Sequence, residues 1–297
     1  MRRLVLIAFG LALLGFAAFM VMTQPRTRDF AGLNAMTGDA ARGQTVFLAT
    51  GCASCHMAPG ATGEAELVLA GGQVFASPFG SFLAPNISPD PAQGIGGWSV
   101  QDLAAAIMDG VSPGGQHYYP ALPYSAYSRL ALQDVADLKA YLDTLPPDAT
   151  PSQPHQVGFP FNIRRTLGGW KLLFLRDDWV LTGDLSPDLE RGRYIVEAQA
   201  HCGECHTPRN ALGGLQRGQW LAGAASPDGK GRVPGITPGH LDWSEDEIVE
   251  YLTSGFTPDF DSVGGHMAHV VNNMARLPDS DRAAVAAYLK AIPAITP

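Results

Sequence analysis

All four cysteines of the chain fall in two boxes of one pattern, Cys52-Ala53-Ser54-Cys55-His56 and Cys202-Gly203-Glu204-Cys205-His206, 150 residues apart. Two thiols with two residues between them suit thioether bonds to the two vinyl groups of a haem, and the histidine that follows supplies a proximal iron ligand. A lone Cys-x-x-Cys also fits a redox disulfide or half of a zinc site. Zinc would need the boxes to meet across the chain, and a disulfide gives no role to a histidine repeated after both. The doubled motif therefore points to two covalent haem c groups, attached through Cys52, Cys55, Cys202 and Cys205, with His56 and His206 on the irons.

The sixth iron positions are less plainly written. In the second half His266, Met267, His269 and Met274 are available, and Met267 is preferred because it follows Gly264-Gly265 in a loop, whereas Met274 sits nearer the last helix. A thioether ligand raises haem potential relative to a second imidazole. Between the two boxes the only methionines are Met57, adjacent to the proximal histidine, and Met108, inside an expected helix over 102–109. His117, in the loop 112–120, is the leading candidate there, with Met108 or an open site as alternatives. A His/His first haem and a His/Met second haem would give electrons a direction. Trp98 and Trp243 are candidates to donate indole N–H groups to haem propionates or to cover the cofactor edges. Arg209 is a candidate to neutralise a propionate. Tyr118, Tyr119, Tyr124 and Tyr127 would line the first pocket, while His155, His201 and His240 lie in no motif.

These groups need elements to hold them, and the chain repeats those elements. Arg42-Gly43 precedes the first box and Arg191-Gly192 the second; Pro59 and Pro208 follow them. Trp98-Ser99 and Trp243-Ser244 each open a capped helix that Gly110 or Gly255 closes. The segments 132–145 and 280–292 place apolar residues at three-to-four spacing, so each presents one apolar face, expected to pack on the amino-terminal helix of its own half. The expected fold is all-α, with two tandem haem domains over 37–147 and 185–294. Residues 148–184 form an interdomain segment, which opens with a proline-rich exit and continues into an apolar stretch over 159–180. That stretch either fills the cleft between the domains or forms a surface for a partner or membrane.

Arg2-Arg3 followed by the apolar run 4–21 gives roughly 27 Å of helix, close to the hydrocarbon thickness of a bilayer. The run lacks a small-residue cleavage exit, so residues 1–25 are expected to stay as a single-pass transmembrane anchor in the bacterial inner membrane, with the boxes on the periplasmic side; a cleaved signal peptide is the alternative and would also send the boxes across. A net charge of -8 argues against a nucleic-acid partner. The chain carries 34 glycines and 23 prolines, which suit short helices joined by irregular loops around a large cofactor.

Over residues 39–293 the sequence resembles the multihaem cytochrome c subunits of bacterial membrane-bound alcohol, gluconate and aldehyde dehydrogenases. The likeness is carried by Ala84-Pro85-Asn86-Ile87-Ser88-Pro89-Asp90, Gly94-Ile95-Gly96-Gly97-Trp98, His117-Tyr118-Tyr119-Pro120-Ala121-Leu122-Pro123-Tyr124 and Gly264-Gly265-His266-Met267-Ala268. It implies class I cytochrome c folds. It also implies a relay of electrons from a periplasmic or membrane-bound dehydrogenase, or another redox protein, toward a downstream cytochrome, oxidase or quinone-linked component of the respiratory chain. The family often has an axial methionine where this chain has Leu122, and Met267 matches its counterpart in the second half. The rival reading is a diheme oxidoreductase with catalysis at a non-methionine first haem, similar to peroxidases or thiosulfate dehydrogenases; the lack of a further cysteine disfavours the latter. A non-redox membrane scaffold that merely retains haem is a third reading.

Overall fold

The computed structural model describes residues 1–227 and 229–296. It begins with α1 (Arg2–Met22), an apolar helix of mean hydropathy 2.7 that buries none of its length against the protein. In the first half follow α2 (Ala40–Thr50), α3 (Cys52–His56), β1 (Val74–Ser77), β2 (Gly80–Leu83), α4 (Val100–Asp109), α5 (Tyr124–Tyr127) and α6 (Leu132–Leu142). After β3 (Gln156–Val157) and α7 (Thr166–Phe174), the second half runs α8 (Pro187–Tyr194), a π-helical turn over Ile195–Gln199, α9 (Gly203–His206), β4 (Ala224–Ala225), β5 (Arg232–Val233), α10 (Glu245–Ser254), α11 (His266–Met274) and α12 (Asp279–Ala291). The fold is mostly helical rather than all-α. β1, β2 and β3 form a small antiparallel sheet, and β4 pairs with β5.

Each half is built on a crossing of its first and last helices. Gly43 of α2 meets α6 so closely that a Cβ would lie 2.0 Å from the Asp137 carbonyl; Gly192 of α8 stands likewise, 2.0 Å from the Ala284 carbonyl of α12. The preceding arginine clamps each crossing. Arg42 pairs with Asp137 through Nε and Nη2 at 2.7 and 2.9 Å, and Arg191 pairs with Asp281 at 2.8 and 2.7 Å. Bidentate geometry of this kind fixes the crossing register. Ser99 and Ser244 form full capping boxes with Asp102 and Glu247, and Gly110 and Gly255 end α4 and α10 in left-handed conformations.

One core centres on Val46, Phe47, Leu103, Val135 and Leu138; the other on Ile195, Val196, Ile248, Val285 and Leu289. Fully burying such side chains contributes roughly 1.5–3 kcal/mol each. The two cores interlock, since Leu48 and Ala49 of α2 belong to the second and Ala198 to the first.

The first unit also extends beyond the span read from sequence. Phe30 and Leu33 are buried in its core. The proline-rich stretch after residue 147 folds back instead of leaving: Asn86 Nδ2 donates to the carbonyls of Asp148 and Thr150, and β3 joins the sheet. The apolar stretch beyond it is partly buried and partly exposed. Leu167 is buried, Trp170 packs on Tyr124, and Trp179 lies beneath Arg129 and Arg193. Phe159, Phe161, Ile163, Leu172 and Leu173 stay exposed.

Candidate haem sites and the junction between them

Each box sits on a short helix directly after the first helix of its half, so its two cysteines lie one turn apart on the same side. The histidines are aimed identically. His56 Nδ1 is 2.8 Å from the Pro85 carbonyl, and His206 Nδ1 is 2.8 Å from the Pro234 carbonyl. A carbonyl can only accept, so Nδ1 carries the proton and Nε2 is left with its lone pair free for iron, the arrangement that protein-held imidazole ligands use. The same loop closes both sites: Gly71 N donates to the His56 carbonyl and Gly223 N to the His206 carbonyl, each at 2.7 Å. Burial lowers the pKa of both histidines, keeping them neutral and able to ligate. Burial also pushes the Cys52 thiol up to about 11 and the Cys202 thiol up to about 12. A redox or zinc-binding pair needs the opposite shift. Two neutral thiols followed by a neutral, oriented imidazole fit a thioether-linked haem.

The structure resets several expectations about the surrounding residues. The strand-like bridges Val111 to His117 and Phe256 to Ser262 are equivalent, and so are the bonds Tyr118 N to Gly110 O and Val263 N to Gly255 O, each 2.8 Å. In this register His117 corresponds to Ser262, and Leu122 corresponds to Met267. His117, the candidate sixth ligand of haem one, has its Nε2 engaged elsewhere. It is buried at the foot of α1 with Nε2 2.9 Å from the Thr23 carbonyl, among Lys171 and Arg165. Met108 is core in the first half, as Met274 is in the second; Leu122 and Met267 are both half-buried against their cores.

Arg209, the candidate propionate partner, already has protein partners. Its guanidinium pairs with Glu204 and donates to the Gly213 carbonyl at 2.8 Å. Glu204 lies between the two cysteines of its box. Trp98 and Trp243 pack against the two cores, Trp243 also against Tyr251 at 5.2 Å, and neither indole N–H has a protein partner among the described residues. Of the four tyrosines, Tyr127 is buried beside the first box, and its hydroxyl donates to the Thr50 carbonyl at 2.9 Å.

The boxes themselves face one another. Ser54, inside box one, accepts from Asn273 Nδ2 of α11 at 3.1 Å; Ser125 of α5 donates to Glu204, inside box two, at 2.7 Å. Equivalent positions of the two boxes thus each reach the opposite half. Burial raises the pKa of the Cys55 thiol, and the nearby Cys52 and Cys205 thiolates raise it further. Sequence reading missed this junction because Ser54, Ser125 and Asn273 belong to no motif.

The cytochrome c family model matches residues 40–146 and again 189–293, covering most of the chain. The chain belongs to the cytochrome c family. Its two matched domains, each with a complete box, carry two covalently bound haem c groups. The cytochrome is 56% identical to a "Diheme cytochrome c-type" protein of Cereibacter sphaeroides, over 99% of this chain and 100% of that one. It is 37% identical to the fructose dehydrogenase cytochrome subunit of Gluconobacter japonicus, over 85% of this chain and 52% of that subunit. To the cytochrome c subunit of a quinone alcohol dehydrogenase from Gluconobacter oxydans it is 34% identical, over 90% and 58% respectively. The cytochrome thus spans the whole of the first relative but little more than half of each of the other two. These likenesses make it a diheme electron carrier rather than a catalyst.

Proposed function

We propose that this cytochrome relays electrons from a periplasmic or membrane-bound dehydrogenase to a downstream cytochrome, oxidase or quinone-linked acceptor, while anchored in the bacterial inner membrane by α1. The observation that carries the relay is the junction: two haem boxes held edge to edge by reciprocal hydrogen bonds make one electron path within one chain. Reduction assays on native membranes test it. Affinity-purified cytochrome is expected to bring a dehydrogenase whose substrate reduces both haems; haems that stay oxidised with every co-purified dehydrogenase would refute the donor assignment.

At the irons, His56 and His206 are the proximal ligands and Met267 is the sixth ligand of haem two. Leu122 offers no donor atom at the equivalent place, so haem one lacks a methionine. That substitution also supports the second reading, an openable first haem that binds small ligands. Carbon monoxide binding to the reduced protein at one haem only would favour it.

The anchor reading is supported by how α1 ends. Thr23 is buried, its hydroxyl returns to the Phe19 carbonyl, and Arg165 bonds the Met20 carbonyl and Thr23 Oγ. Gly168 of α7 lies against Thr23 so closely that a Cβ would meet its carbonyl at 2.3 Å. Arg28, five residues on, pairs with Asp109 at 2.7 Å. A spanning helix ending at Met22 therefore brings α7 to the level of the headgroups, with Phe159, Phe161, Leu172 and Leu173 toward lipid. Spin labels at Leu13→Cys and Leu173→Cys in lipid nanodiscs separate the two claims. Both labels are expected to prefer oxygen over a water-soluble relaxer. A wet Leu173 label beside a lipid-exposed Leu13 label would reject only the α7 placement.

A further inference from the structure

Both boxes are entered through a left-handed residue, but not the same one. Gly51 stands before Cys52 at φ +65°, whereas His201 stands before Cys202 at φ +44°. Glycine takes this conformation freely; a residue with a Cβ does so at a steric cost, and such strain persists where the surrounding structure imposes it. The strain has a visible origin upstream. From the crossing glycine to the first cysteine there are nine steps in the first half, Gly43 to Cys52, and ten in the second, Gly192 to Cys202. The additional residue is absorbed by the π-helical turn Ile195–Gln199, the wider turn that accommodates an insertion within a helix.

The imidazole so placed enters the junction. Its ring meets the edge of Tyr127 at 5.5 Å with an interplanar angle of 76°. The Thr50 carbonyl, which accepts from the Tyr127 hydroxyl, also faces the imidazole. Thr50 Oγ lies 3.3 Å from Cys52 Sγ. From Cys202 of the second box to Cys52 of the first the groups are therefore continuous: Cys202, the His201 side chain, the Thr50 carbonyl with the Tyr127 ring, and Cys52.

We propose that His201 is a positioning residue for electron transfer between the two haems, bridging the boxes where glycine would leave a gap. One electron leaves a ferrous haem, which becomes ferric, and reduces the ferric haem of the other domain; no bond breaks and no proton moves. Electronic coupling falls more steeply across a van der Waals gap than along bonded and hydrogen-bonded atoms. A side chain that fills the gap therefore accelerates the step without touching either iron.

The test uses the full-length diheme protein in detergent, with electron redistribution between the haems followed after laser injection of one electron. His201→Gly suits the backbone at this site, so both haems, their optical spectra and the melting temperature are expected to be kept or improved. Its inter-haem rate is expected to fall several-fold. His201→Asn, which tolerates the left-handed region and can still meet the Thr50 carbonyl, is expected to recover part of the rate. Ser125→Ala loosens the cross-domain tie to Glu204 and serves as the docking control. An unchanged rate in His201→Gly, or an equal slowing in Ser125→Ala, would overturn the proposal.

Discussion

The two halves of this cytochrome hold the histidines of their boxes at the same 2.8 Å from a proline carbonyl, yet they differ at the candidate sixth-ligand position, at the entry to the box and in the loop that faces α1. Leu122 stands where Met267 stands, Gly51 where His201 stands, and His117, where the second half has Ser262, ties the first half to α1. Shared positions are those that any covalent haem needs: a crossing glycine, a capped helix over the pocket, an oriented imidazole. Divergent positions are where the two haems are proposed to differ. The repeated pattern of elements thus supplies the frame, and single side chains supply the asymmetry.

The largest test of that division removes one box. Cys202→Ala with Cys205→Ala is expected to lower covalent haem from two to one per chain, by intact mass, while the His56-ligated haem keeps its spectrum. Loss of both haems would show that the interlocked cores, with Leu48 and Ala49 of α2 inside the second, make the halves a single folding unit. Next come the crossings. Gly43→Ala and Gly192→Ala each drive a methyl into a backbone carbonyl, Asp137 or Ala284, that has no rotamer to yield. Each is expected to destabilise the protein by about 1–3 kcal/mol or more, read by thermal unfolding, and to similar extents. Unequal losses would mean the two frames are not equivalent.

Much of that frame was legible beforehand because it is local. Box spacing, Trp-Ser starts, closing glycines and the apolar period of the last helices are patterns within a few residues. What was hidden depends on partners far apart in sequence. Nothing in the loop around His117 announces its bond to Thr23, 94 positions away. Arg209 looked free for a propionate, but Glu204 inside the box takes it. The short strands pair through backbone atoms and leave little trace in side-chain type. His201 lay in no motif, and only its backbone angle marks it; comparing the lengths of the two glycine-to-cysteine intervals would have found it.

A reciprocal swap sharpens the ligand difference. Met267→Leu is expected to abolish the methionine-to-iron charge-transfer band and to lower the potential of haem two, on the order of a tenth of a volt within the roughly 0.8 V that axial ligation spans. Leu122→Met is expected to create such a band in domain one and raise that haem. If Leu122→Met changes neither spectrum nor potential, the two loops do not share the register read from their hydrogen bonds.

The smallest effect concerns His117, where the comparison predicts a structural answer. Burial holds its pKa below that of a free histidine, opposed by the Thr23 carbonyl and reinforced by Lys171 and Arg165, the charged neighbours that disfavour a second proton. With Nε2–H donating to Thr23, a proton added at Nδ1 would enter a buried site with no acceptor. An unfolded chain takes up that proton near pH 6.5, before the folded chain does. The contribution of His117 is therefore complete above about pH 6.5 and declines as pH falls below it, toward the depressed folded value. His117→Ala is expected to cost roughly 1–2 kcal/mol at pH 7.5, from the lost hydrogen bond and the space left behind, and to flatten the loss of stability between pH 7 and 5. Both haem spectra are expected to stay unchanged. A spectral change at haem one would restore His117 to the iron and undo the register that pairs Leu122 with Met267.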